Sequence, residues 1–421
     1  MKTGLVSFSN PYRPGAGHMP PYLAGRIKEI EEFKQRLKQD TVLQNLILTG
    51  LRGVGKTVLL ETLKPIAISD GWIWAGTDLS EASSVSEEHI AIRLLTDLSV
   101  VTSGIVVATK THQEAGFRGQ ATKQQQTLDF QTLAQIYTTT PGLVTDKLKH
   151  ILEIVWTALQ PLQQHSPKPV KGLIFAYDEA QTLSDQAAKD QYPLSLLLDV
   201  FQSIQRKGIP FMLLLTGLPT LFPKLVEART FTERMFHIIF LNRLNTIESQ
   251  EAILKPIQDT KCPVRFNEES VNTIVKVSGG YPYFIQFICR EVYDIFIQKL
   301  NAGESTAVPV NEILRKLDSD FFSGRWARAT DRQRELLGLI ARLDSANEEF
   351  TVQEIAERSR KHLKKPFSSS HANQMLTSLT DAGLVYKNRH GKYSFAVPLL
   401  GQFILRQIES ETLGGGRGVH P

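Results

Sequence analysis

Eight consecutive residues, Gly50-Leu51-Arg52-Gly53-Val54-Gly55-Lys56-Thr57, constrain this chain more than any other stretch. They match the pattern G-x-x-x-x-G-K-[ST] at every position. The flanks are the ones this pattern needs. The apolar run Leu46-Ile47-Leu48 before it reads as a buried parallel strand, and Val58, Leu59, Leu60 and Leu63 after it read as a helix. The glycines let the backbone take left-handed angles and turn N–H groups toward a phosphate, while the helix start adds the positive end of its dipole. Gly50, Arg52, Gly53, Val54, Gly55 and Val58 are thus candidate cradle residues. Lys56 is placed to reach the outer phosphates and Thr57 to ligate a metal ion. A chance match in a glycine-containing loop is the bland alternative, and the correct flanks count against it.

The same alternation continues downstream. Apolar runs at residues 72–75, 172–177, 211–215 and 238–240 read as strands, and residues 27–37, 148–162 and 194–205 as helices. Strands alternating with helices argue for an α/β core with a mostly parallel sheet. From Thr246 the strands stop, and helices are expected at 247–257, 268–277 and 283–300. A chain of 421 residues accommodates roughly three domains at about 150 residues each. The expected division is a core at 1–244 with an N-terminal arm, an all-α region at 245–318, a third module at 319–411 and a disordered glycine-rich tail at 412–421. Residues 102–142 are polar and weakly periodic and read as a partly mobile insertion in the core.

Composition excludes several classes. Hydrophobic residues make up 42% and charged residues 22%, an ordinary globular balance. Two cysteines, Cys262 and Cys289, cannot staple a chain this long, which favours a reducing, cytoplasmic setting. No apolar run approaches 18 residues and residues 1–17 lack a signal-type apolar core, so no membrane association is expected. No Cys/His spacing fits zinc and no G-x-S-x-G is present. The net charge of +5 is compatible with nucleic acid without requiring it.

The strand at 172–177 ends in Asp178-Glu179. Behind a phosphate loop, this pair suits Mg²⁺ orientation by Asp178 and polarisation of an attacking water by Glu179. Capping of the following helix is the competing role for the pair. Asp78, after the strand at 72–75, comes too early in the strand order to be preferred.

These residues carry a resemblance. Residues 50–57 and 173–179 resemble the Walker A and Walker B motifs of AAA+ and related STAND-type ATPases, which implies ATP and Mg²⁺ as ligands. Tyr22-Leu23-Ala24-Gly25-Arg26 resembles the segment that packs on adenine in the replication-initiator branch, implicating Tyr22, Leu23 and Arg26. Leu213-Leu214-Leu215-Thr216-Gly217 resembles the sensor-1 strand, which implies that Thr216 lies between the strand of Asp178 and that of the phosphate loop. Gly279-Gly280-Tyr281-Pro282 resembles the start of a lid helix that faces the nucleotide at Pro282. One departure stands out. Where many AAA+ proteins place an arginine early on that helix, this chain has Tyr283, Phe284 and Gln286, and its first arginine is Arg290. An arginine just before the last core strand can act in a neighbouring subunit. Arg234 is the first candidate and Arg229 the second, with a surface pair to Glu233 as the structural alternative for Arg234.

The third module reads as helix, helix, helix and two-stranded wing, the order of a winged helix, with a hairpin turn at Asn388-Arg389-His390-Gly391. Between Thr351 and Ser394, eight basic residues face three acidic ones. Arg389, His390 and Lys392 at the wing tip suit phosphate contacts, and Asn373 and Gln374 on the third helix suit a groove. The domain order resembles that of replication-initiator ATPases and, in part, of regulators on mobile elements. It implies an ATP-dependent, DNA-bound switch that forms homo-oligomers and controls the assembly or loading of a protein partner. The alternative is a STAND-type signalling ATPase, for example in phage defence, whose winged helix contacts protein instead.

Overall fold

The computed structural model describes residues 9–39, 41–113, 121–165, 169–186, 188–258, 264–302, 310–346, 348–389 and 391–414. They form two compact units.

One unit comprises Ile27–Thr49 and Leu59–Phe240. Its strands are β1 (Asn45–Thr49), β2 (Trp72–Ala75), the paired β3 (Val106–Gln113) and β4 (Ala121–Thr127), β5 (Gly172–Tyr177), β6 (Phe211–Gly217) and β7 (Phe236–Phe240). Five of them make one parallel sheet in the order β2-β5-β6-β1-β7. The three central strands are buried at every residue, which is why they read as unbroken apolar runs, whereas β2 and β7 at the edges are only partly buried. The helices are α1 (Ile27–Leu37), α2 (Lys56–Ser69), α3 (Glu87–Thr102), α4 (Phe130–Thr139), α5 (Val144–His165), α6 (Pro193–Arg206), α7 (Leu221–Ala228) and the short α8 (Thr232–Met235). Phe175 of β5 sits at the centre of an aromatic cluster, with ring centroids 5.0 Å from Phe201 and 5.9 Å from Phe211.

The stretch expected to be an irregular insertion is largely regular. β3 and β4 form an antiparallel hairpin, and α4 follows, capped by the Asp129 carboxylate accepting from Thr132 N–H at 2.8 Å. Leu133 and Tyr137 are buried one helical turn apart. That spacing was the available signal; the Gln- and Thr-rich strands gave none, because backbone pairing needs no apolar stripe.

The other unit comprises Met1–Arg26, Gly50–Val58 and Leu241–Pro421. It contains α9 (Thr246–Gln258), α10 (Glu268–Ser278), α11 (Pro282–Ala302), α12 (Val310–Leu317), a π-helical turn (Asp318–Phe322), α13 (Ser323–Trp326), α14 (Asp331–Ala341), β8 (Phe350–Thr351), α15 (Val352–His362), α16 (Ser369–Asp381), β9 (Val385–Arg389), β10 (Lys392–Phe395) and α17 (Leu400–Gly414). A single core runs through it. Phe284 of α11 packs 6.1 Å from Phe322, which stacks 5.1 Å from Phe403 of α17. Asp318 receives two hydrogen bonds from Arg406.

The N-terminal arm also belongs to this unit and not to the sheet. Tyr12 is fully buried, its hydroxyl donating to Ile253 O at 2.5 Å, and Asn10 donates to Asp294 on α11. Two bare-composition expectations also shift. α17 continues to Gly414, into the stretch expected to be a disordered tail, whose remaining residues 415–421 lie outside the described ones. β8 adds a third strand to the hairpin, giving the order β8-β10-β9. Cys289 is free and buried, while Cys262 lies outside the described residues. No described helix is long and apolar enough to cross a membrane.

Replacing Phe175 by Ala removes the hub of the sheet core. We expect a loss of about 3–5 kcal/mol in unfolding free energy by denaturant titration; a loss below about 1 kcal/mol would mean that the cluster does not hold the sheet.

Candidate functional site

The phosphate loop follows β1 and leads into α2. Gly53 and Gly55 take φ values of 82° and 91°, in the left-handed region that residues with a Cβ avoid. A Cβ on Gly55 would meet nothing within 4 Å, so the loop borders open space at this residue. Lys56 Nζ donates back to the carbonyls of Gly50 at 3.0 Å and Leu51 at 3.1 Å, which holds its charge over the loop.

Two groups clamp this loop from outside. Arg26, only 5% exposed, donates Nη2 to Val54 O at 2.9 Å and to Asn242 O at 2.8 Å. Its guanidinium therefore fixes the loop backbone. Tyr283 N–H, in the first turn of α11, donates to Gly53 O at 3.1 Å, and a Cβ on Gly53 would stand 3.2 Å from Tyr283 Cβ. Pro282 is the first residue of α11, a position where a missing N–H costs nothing. Gly279 and Gly280 (φ 59° and 77°) make the turn before it. Tyr22 hydrogen-bonds Glu251 at 3.2 Å; burial first, then the Glu251 charge, push its phenol pKa up. Leu23 beside it is half-buried.

Arg52 is exposed, with Nη1 3.7 Å from where a Cβ on Gly383 would stand, in the turn between α16 and β9. Arg325 of α13 has its pKa lowered, by burial first and then by the charges of Arg52 and Arg328. It lies 4.8 Å over the Phe321 ring, itself 5.3 Å from Tyr283. Arg325 of α13 thus lies close to the first turn of α11, where the sequence has Tyr283 and Phe284.

In the sheet unit, β1, β5 and β6 are parallel, so Thr49, Tyr177 and Gly217 end at one edge. β6 lies between β5 and β1, and Leu48 pairs with Thr216 in register. Thr49 Oγ1 and Thr216 Oγ1 are both buried with no hydrogen-bond partner among the described residues. A buried hydroxyl without a partner is costly, and a phosphate oxygen or a metal-bound water would supply one. Asp178 is 3% exposed and accepts from Glu179 N–H at 2.8 Å. Glu179 is exposed and adopts φ 53°, an unfavourable conformation for a residue with a side chain and one concentrated at working sites.

One residue here went unread in the sequence and another was set aside. Gln181 donates to the Glu179 carboxylate and accepts from Leu218 N–H at 3.1 Å, tying the acid to the end of β6. Asp78, set aside on strand order, forms a parallel bridge with Asp178, and Leu79 N–H donates to Asp178 O at 3.0 Å. Order along the chain is not order across the sheet, and β2 pairs directly with β5. Among the described residues no cluster of three His, Cys, Asp or Glu could hold a metal ion by itself; Thr57 and Asp178 each carry a hard oxygen donor of the kind that suits Mg²⁺.

The two arginine candidates separate. Arg229 is engaged by Asp199 through two hydrogen bonds of 3.0 and 2.8 Å. Arg234 on α8 is exposed and forms no ion pair with Glu233 or any other described carboxylate. On the C-terminal module Asn373 and Gln374 are exposed on α16, Asn373 accepting from the Tyr393 hydroxyl at 2.9 Å. Lys392 is one of the charges that, against burial, hold Glu354 below the usual carboxylate range, after hydrogen bonds from Thr351 and Ser345. Arg389 pairs with Lys392 through the backbone; His390 lies outside the described residues.

Comparison with known proteins agrees with this geometry at the level of fold. Residues 319–404 match a family model described as a domain of unknown function (DUF8462). No curated protein matches the chain. Among solved structures, a Walker-type ATPase of Pyrococcus abyssi is similar with a TM-score of 0.52 at 15% identity, covering 91% of this chain and 96% of that one. The ORC2 protein of Aeropyrum pernix, in its ADPNP–ADP complexes, is similar with a TM-score of 0.53 at 13% identity, covering 95% of this chain and 98% of that one. Its ADP form scores 0.53 at 15% identity, covering 94% and 97%. At these identities the likeness is one of fold: the chain shares the fold of these solved structures.

Arg26→Ala should free the Val54 carbonyl and loosen the loop. Hydrogen bonds from a charged group contribute about 1.5–3 kcal/mol, so we expect at least a tenfold weaker affinity in titrations with a fluorescent ATP analogue. Unchanged affinity would show that the clamp is not needed.

Proposed function

We propose that this protein binds and hydrolyses ATP with Mg²⁺ and uses the cycle to control its hold on DNA and on a protein partner. The observation that carries the reading is the hydrogen bond from Tyr283 N–H to the phosphate-loop carbonyl of Gly53. It ties the loop that would sense phosphate to α11, and through Phe321 to Arg325, in the unit that also contains the C-terminal module.

In this reading the N–H groups of residues 53–58 face the phosphates and Lys56 leaves its loop carbonyls to neutralise phosphate charge. Thr57 and Asp178 hold Mg²⁺, which supplies neutralisation of the developing charge. Glu179, released from Gln181, accepts a proton from the attacking water, and the Thr216 hydroxyl acts as a phosphate sensor. Negative charge at the loop also relieves the mutual repulsion of Arg52, Arg325 and Arg328, which favours one packing of the C-terminal region. Arg234, exposed and without a salt bridge, is the arginine offered to a second copy in a homo-oligomer.

For the C-terminal module the reading is a winged helix on DNA, with Asn373 and Gln374 in a groove and Arg389, His390 and Lys392 on phosphates. The excess of basic residues between Thr351 and Ser394 supports it.

Lys56→Ala is expected to abolish measurable ATP hydrolysis, and Glu179→Gln to lower it at least a hundredfold while ATP still binds. Steady-state phosphate release with parallel binding titrations checks both. Hydrolysis at wild-type rates in either variant would remove the assignment. Changing Arg389, His390 and Lys392 together to Ala should weaken a salt-sensitive complex with duplex DNA about tenfold or more, read by fluorescence anisotropy at two salt concentrations. If nucleotide binds but DNA is ignored with every nucleotide, the module contacts protein and the signalling alternative takes over.

A further inference from the structure

The N-terminal arm carries a turn, residues 15–18, that is anchored on both sides. Before it, Tyr12 is buried with its hydroxyl on Ile253 O, and Arg13 N–H donates to Gln286 Oε1 of α11 at 3.1 Å. After it, Ala24 is buried and Arg26 donates to Val54 O of the phosphate loop. The turn itself is tight. His18 N–H donates to Gly15 O at 3.4 Å, and a Cβ on Gly15 would stand 2.7 Å from His18 Cγ. Ala16 and His18 are exposed, so the turn adds little to the apolar core.

Gly17 is where the turn meets the phosphate loop. Its φ of 70° is left-handed, and a Cβ there would stand 3.1 Å from Thr57 Cγ2, closer than ordinary van der Waals contact. The arm backbone thus rests against the methyl group of Thr57, and only glycine fits both the angle and the space. That methyl shares its carbon with the Thr57 hydroxyl. Thr57 is the second residue of α2, and a threonine in a helix divides between two χ1 rotamers because its hydroxyl can turn back to a preceding carbonyl. A wall against Cγ2 removes that freedom, since fixing one branch of the carbon fixes the other. A ligand to Mg²⁺ needs such fixing, because this ion demands near-ideal octahedral geometry. We propose that the turn at residues 15–18 is a positioning element for the metal site, Gly17 holding Thr57 in the rotamer that presents its hydroxyl to Mg²⁺. The inference rests on the assignment of Thr57 as a metal ligand.

The test titrates Mn²⁺, a spectroscopic stand-in for Mg²⁺, into the full-length protein saturated with ADP, read by the electron paramagnetic resonance of the free ion. Binding of a fluorescent ADP analogue in EDTA is measured beside it. Gly17→Asn introduces a residue type that tolerates a left-handed backbone, so it changes the contact more than the fold. Residues that orient a metal ligand matter to metal affinity, and Gly17→Asn should weaken Mn²⁺ binding about tenfold. ADP binding in EDTA should stay as in the wild type. Thr57→Ser keeps the hydroxyl, loses the methyl and leaves the arm untouched. With three staggered wells open to it, the serine should bind Mn²⁺ about threefold more weakly. Added to Thr57→Ser, Gly17→Asn should cause little further loss, because the group it presses on is gone. If Thr57→Ala binds Mn²⁺ as the wild type does, the ligand assignment itself falls. If Thr57→Ala loses Mn²⁺ while either Gly17→Asn or Thr57→Ser keeps wild-type affinity, the assignment stands and the inference is overturned. An equal loss from Gly17→Asn with and without Thr57→Ser also overturns it.

Discussion

The phosphate loop is a tightly curved piece of backbone, and everything assigned to it depends on what holds it. Glycines at left-handed angles make the curve possible but do not keep it. Two donors do so, the Arg26 guanidinium on Val54 O and the Tyr283 amide on Gly53 O. Both take carbonyls, and so they fix the loop while leaving its N–H groups for a ligand. Because Tyr283 lies in the first turn of α11, any shift of the loop that breaks or bends this bond is felt by a helix of 21 residues whose Phe284 belongs to the same aromatic chain as Phe322 and Phe403.

The sheet unit shows the same economy with side chains. The central strands are wholly buried, so their last residues are held to within the stiffness of a parallel sheet. On that rigid edge sit one buried carboxylate, Asp178, and one exposed one, Glu179, in an unfavourable backbone conformation. Gln181 restrains the exposed acid and bonds the end of β6 at the same time. At the same edge the hydroxyls of Thr49 and Thr216 are buried without a hydrogen-bond partner among the described residues.

Much of this was legible in the sequence. The phosphate loop announced itself because its chemistry fixes residue types at fixed spacing, and the central strands because burial on both sides removes polar residues from them. What was not legible depends on pairings between distant residues. Arg26 and Asn242 lie 216 positions apart, and no local pattern links them. Asp78 was set aside because its strand comes early in the chain, yet β2 pairs with β5 in the sheet and Asp78 bridges Asp178. The β3–β4 hairpin is held by backbone bonds that leave no hydrophobic signature. Arg229, the second candidate after Arg234, is occupied by Asp199 on α6. Arg325 comes close to Tyr283 from α13, across a turn of π-helix that apolar periodicity does not register.

The central claim is that occupancy of the phosphate loop reaches the C-terminal module through Tyr283 and Arg325. Hydrogen–deuterium exchange with and without ATP and Mg²⁺ tests it most directly. The account predicts that ATP slows exchange in residues 50–58 and also in residues 282–290, 323–328 and 383–395, and that ADP protects the last two segments less. Protection confined to residues 50–58, the same with ATP and ADP, would contradict it.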